Sequence, residues 1–120
     1  MSVKKNYYVI AGYDLTGYKT EKYEDWRWTE EGERLTLYQS KGNIQLFDDP
    51  MDGCHLYLGY VLAKGDEYEF ETAKINLNEV SRLQPCALNK LTQLVDDGII
   101  GNVFESKNFK YEIIVFEECS

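Results

Sequence analysis

Helical periodicity in this chain is confined to one stretch, residues 76–98, with patterns of extended backbone on both sides of it. That ordering constrains the fold more than any other feature. Parallel neighbours in a sheet are joined by crossovers that are usually helices, so a parallel sheet needs strands and helices in alternation. Here a run of strands comes first, then the helical stretch, then strands again. An antiparallel or mixed sheet with its helices on one side is the economical arrangement. The expected fold is therefore α+β, one domain spanning residues 1–120, with about six or seven strands.

The clearest strand is "NYYVIAGYD", where Tyr7, Val9 and Ala11 fall on one face and Tyr8 and Ile10 on the other. Apolar residues on both faces mark a central strand covered on both sides. Gly12 and Gly17 fit a bulge and the strand's end. Between Lys19 and Arg34 the charged segment reads as a loop or irregular strand, with "EEGE" as a turn. Next, "RLTLYQ" and "NIQLF" alternate apolar with polar residues around "SKG", a hairpin connection containing glycine. "CHLYLGYVLA" sets Leu56, Leu58, Tyr60 and Leu62 opposite His55, Tyr57, Gly59 and Val61. "KGDEYEFET" follows as a turn and an exposed strand.

Within the helical stretch, Asn76 with Glu79 three residues on has the form of a capping box. Leu77, Val80 and Leu83 or Gln84 form a first apolar stripe; Leu88, Leu91, Leu94 and Val95 form a second. Pro85 lies between them, where a proline breaks a helix or begins a new one. The expectation is a Pro-interrupted helical pair over residues 76–97, stopped by Gly98. Residues 99–118 then read as a C-terminal β-hairpin turning around residues 106–108. Its last strand, residues 111–116, is apolar on both faces and expected to be central. "NKLTQLVDDGIIGNVFESKNFKYEIIVF" resembles the end of a winged helix domain, in which a last helix is followed by a β wing. That resemblance implies a basic recognition helix, whereas this helix carries Lys90 beside Asp96 and Asp97.

The chain has 21 acidic and 13 basic residues, a net charge of −8. Such a field repels phosphate backbones and anionic lipid and favours basic partners. Direct nucleic-acid binding and membrane association are not expected. Three cysteines, Cys54, Cys86 and Cys119, are odd in number and form no C-x-x-C pair, which argues against a disulfide scaffold. The start of the sequence reads as a strand rather than a signal peptide, and no 18-residue apolar span follows. A reduced, cytoplasmic protein is the expectation.

"FDDPMDGCHLY" gathers three aspartates, a cysteine and the chain's one histidine. Asp48, Asp49, Asp52 and His55 are the candidate metal ligands. Their spacing fails the calcium-loop pattern, which needs oxygen donors at fixed intervals and a closing glutamate. Cys54 and His55 are adjacent on a strand, so their side chains point to opposite faces. Asp-Pro and Asp-Gly both favour turns, and two corners joining strands 43–47 and 54–63 are the simpler reading. A metal-assisted or Cys-dependent enzyme centred on residues 48–55, with Cys54 or Cys86 served by His55, is the alternative. No catalytic residue, metal or cofactor is assigned.

The sharper lead is the segment 21–33, where Glu21, Glu24, Asp25, Glu30, Glu31 and Glu33 are set around Tyr23, Trp26 and Trp28. Carboxylates among aromatics can imitate the charge of nucleic acid and fill a basic groove on a protein partner. The tryptophans either plug the sheet or anchor an interface. The expected function is protein–protein interaction without enzymatic activity, as in an accessory or inhibitory protein of a virus or mobile element. A further alternative is a structural subunit, a homo-oligomer joined through its sheet edge or exposed tyrosines.

Overall fold

The structure is a computed structural model that describes residues 5–37, 42–48, 55–66, 68 and 74–119. The α+β reading holds, as one antiparallel sheet of four strands with three helices among the described residues. Strands β1 (Lys5–Asp14), β2 (Ile44–Asp48), β3 (Leu56–Asp66) and β4 (Glu112–Cys119) lie in the order β2-β3-β1-β4. The doubly apolar β1 is internal, as its pattern predicts, with a bulge at Val9/Ile10 in its pairing with β3.

Three sequence expectations are corrected. Against the six or seven strands expected, four are present among the described residues, because residues 34–37 are helical and residues 103–105 form a 3₁₀ turn. The expected exposed strand near residues 67–72 lies outside the described residues, apart from Tyr68. The C-terminal hairpin, and with it the wing of the winged-helix resemblance, is replaced by β4 alone, which reaches back to pair with β1. Among the described residues β4 is therefore an edge strand and not a central one.

The Pro-interrupted pair is a single helix, α3 (Leu77–Asp96), with Pro85 inside it. A proline within a helix costs about 3 kcal/mol through the lost hydrogen bond and the clash of its ring. The buried stripe Val80, Ala87, Leu91 and Leu94 runs unbroken past Pro85, and its burial offsets that cost. Pro85 itself sits on the exposed face, where water can serve the freed carbonyl. The start is as expected: the Asn76 side chain accepts from the Asn78 amide at 2.9 Å and from Glu79 at 3.4 Å. So is the stop, with Gly98 at φ 77° just beyond the helix.

α3 lies over β1 and β3, and the main core sits between them. Tyr13 and Leu15 of β1 and its exit, Leu56 and Leu58 of β3, and Leu46 of β2 meet Ala87, Leu91 and Leu94 there. The opposite face of the sheet carries a smaller aromatic core of Tyr8, Ile10, Phe47 and Val61, joined by Tyr57, Ile114 and Phe116.

Candidate contact surface

The charged segment is helical. α1 (Tyr23–Arg27) and α2 (Glu30–Leu37) form a tight helical corner beside β2. The signal for α2 is Thr29, whose hydroxyl accepts from the Gly32 amide at 3.2 Å, ahead of a first turn holding Glu30, Glu31 and Glu33. Reading Gly32 as a turn hides it. Glycine stands at that position because a Cβ there would meet the Trp26 carbonyl and lie 2.8 Å from Arg27 Cα, so the two helices touch backbone to backbone. The corner is tied to the body by Thr20, whose hydroxyl donates to the carbonyls of Gly98 (2.5 Å) and Ile99 (3.0 Å).

The aromatic residues of the segment divide. Tyr23 is fully buried and Trp26 nearly so, their rings 5.7 Å apart within the main core. Trp28 is 71% exposed, with Arg27 lying over its ring at 5.6 Å. Trp26 thus plugs the core and Trp28 does not.

The charges divide as well. Asp48, at the end of β2, is buried, and it receives Lys19 at 2.6 Å and Arg27 at 3.5 Å. Lys19 also lies over the Tyr23 ring. Lys22 lies against Gly98 at the end of α3, a helix with no basic residue in its own last turn. Arg34 spans one helical turn to Glu30 at 2.8 Å. Three of the segment's four cations therefore turn toward the body. Glu21, Glu24, Asp25, Glu30, Glu31 and Glu33 are all exposed, against Lys19, Lys22 and Arg34 as the segment's exposed cations, so the outer face is acidic.

The Tyr23 hydroxyl is buried beside the Asp48 carboxylate. Burial, and then the Asp48 charge, push its ionisation well above the ordinary tyrosine value. Burial likewise pushes Tyr111 up to about 12, with its hydroxyl donating to the Val80 carbonyl at 2.6 Å. A raised value in the fold means stability is fully present below pH 10, where the unfolded tyrosine titrates, and is lost as pH climbs toward the folded value. Over that window the fully buried Tyr23 lowers stability by up to about 1.4 kcal/mol per pH unit, and the part-exposed Tyr111 by less. The Tyr23→Phe variant is expected to match the parent at pH 7 and to unfold less steeply above pH 10. Urea midpoints at pH 9, 10 and 11 that fall in parallel for both proteins would refute this.

The metal candidates do not converge. Asp49 and Asp52, like Cys54, lie outside the described residues. Asp48 is opposite Leu56 in the β2–β3 register, on the face of the main core. His55, one residue before Leu56, stacks on Tyr57 at 4.8 Å and against Phe116, on the other face. Its one described cysteine candidate, Cys86, is on α3, which covers the main-core face, so the sheet stands between the two. No three His, Cys, Asp or Glu side chains meet as a metal site among the described residues. None of the described helices is long and apolar enough to cross a membrane.

The chain matches no protein-family model, no curated protein and no solved structure.

Proposed function

We propose that the protein acts by binding a protein partner that carries a basic groove, and that the α1–α2 corner is the contact surface. The observation that supports this reading is Trp28, 71% exposed on a corner held backbone to backbone, in a segment whose six carboxylates are all exposed. A rigid tryptophan can fill a pocket at little entropic loss, and tryptophan is among the residues that most often dominate binding energy. The segment's carboxylates steer a cationic partner and occupy sites that phosphates would otherwise fill. An accessory or inhibitory protein that displaces nucleic acid from its partner would have this combination.

The test is capture of partners from the source cell on immobilised protein, eluted with duplex DNA. A basic protein released by DNA is the expected result. Trp28→Ala should weaken its capture at least tenfold, and Glu24→Gln with Asp25→Asn should slow association and flatten its salt dependence. Both changes are at exposed positions, so the melting temperature should hold. Undiminished capture by Trp28→Ala, or a partner that DNA does not displace, would sink this assignment.

A further inference from the structure

The amino-acid pattern of β4 and its place in the sheet disagree. "EIIVF" is apolar on both faces, the pattern of a strand with neighbours on either side, yet β4 is the last strand and nothing pairs with its outer flank among the described residues. The other edge is different: Gln45, Leu46, Phe47 and Asp48 of β2 are all buried, and α2 packs against that strand. In β4, Ile113 is 39% and Val115 is 72% exposed. Both lie on the face that α3 covers further in, since they pair with Ala11 and Val9, but α3 packs chiefly over β1 and β3. Natural proteins guard open edges with proline, inward charges or short strands. β4 has eight residues and no proline, and its charges lie at its two ends.

We infer that β4 pairs antiparallel with β4 of a second copy, making a twofold dimer with one continuous eight-stranded sheet. A twofold axis perpendicular to the sheet keeps the α3 side of both copies on the same side, so opposed residues must be of the same parity. Centring the axis on Ile114 sets Ile113 against Val115 of the second copy, twice. The most exposed apolar residues of the edge then cover one another. The same register puts the Lys110 position opposite the Glu118 position and Ile114 opposite itself. Centring on Val115 instead sets Ile113 against Glu117, which leaves apolar residues uncovered. Centring on Phe116 sets Ile114 against Glu118 and Val115 against Glu117. The Ile114-centred register, which pairs the two most exposed apolar residues with each other, favours a second copy over an unrelated strand. With a net charge of −8 on each copy, association should tighten as salt is added.

Sedimentation equilibrium at several concentrations and two salt levels, with far-UV circular dichroism as the check on folding, tests this. The parent is expected to dimerise, more tightly at higher salt. Ile113→Lys and Val115→Glu should each weaken the dimer at least tenfold. The double variant I113K/V115E sets each new lysine opposite a new glutamate of the second copy and should restore it. A monomeric parent at high concentration overturns the inference, as does a dimer insensitive to both single changes. A dimer weakened by each single change and not rescued by the double overturns the register and with it the assignment. These positions are distant in sequence and element from the α1–α2 corner, so partner capture and self-association can fail separately.

Discussion

The Gly12→Ala variant is expected to lose most of its folded population. Gly12 and Gly59 face each other across β1 and β3, the two internal strands. A Cβ on Gly12 would lie 2.5 Å from the Gly59 Cα and run into the Leu58 carbonyl. The reverse substitution is little better, since a Cβ on Gly59 would sit 2.6 Å from the Ala11 carbonyl oxygen. All of these obstacles are backbone, so no change of side-chain rotamer relieves them. The strands must part where Tyr13 and Leu58 anchor the main core. Steric conflict of this kind belongs to the severe class of single substitutions, about 4 kcal/mol or more, against a typical total stability of about 5–15 kcal/mol. Gly17 is the control: it has φ 89° and open space around it, so alanine there meets only backbone strain of about 1 kcal/mol. Thermal melts should place Gly12→Ala below Gly17→Ala by more than about 10 °C. Similar melting temperatures would show that the sheet yields at this crossing.

The same two glycines show what the sequence does and does not reveal. The strand that holds Gly12 is legible because its Tyr, Val and Ile residues are apolar on both faces. Its glycine reads as a bulge, whereas it marks the close approach of a partner strand far along the chain. Local pattern identifies α3, its Asn76 cap and its Gly98 stop. It misjudges Pro85, because whether a helix survives a proline depends on packing against strands that the window does not contain. α2 is missed for a related reason. Gly32 weakens helix propensity locally, and only the crossing with α1 explains its place. At the contact surface, the carboxylates and tryptophans are visible as a cluster. The burial of Trp26 depends on the main core, and the inward turn of Lys19 and Arg27 on Asp48, 29 and 21 residues away, neither of which the segment contains.

Asp48→Ala is expected to damage both stability and the surface, and the two effects share a cause. The Asp48 side chain is 3% exposed, while those of Lys19 and Arg27 are 31% and 23% exposed. Removing the carboxylate leaves two cations half-enclosed beside Tyr23 with no counter-charge. Breaking a buried pair from one side costs about 3–5 kcal/mol, and the part-open cations place this case near the lower bound, since they can swing toward water. When they do, two positive charges move further out onto the acidic face. Capture of a basic partner should therefore weaken further than the loss of folded protein accounts for, most of all at low salt, where charge is least screened. Lys19→Ala is milder, because Arg27 still answers the carboxylate; a loss of about 1 kcal/mol is expected, close to that of an exposed pair. Urea unfolding separates these outcomes. A loss under about 1 kcal/mol for Asp48→Ala would mean that the pair's attraction merely balances its desolvation, and that the inward turn of Lys19 and Arg27 is held by their packing on Tyr23 and Trp28 instead.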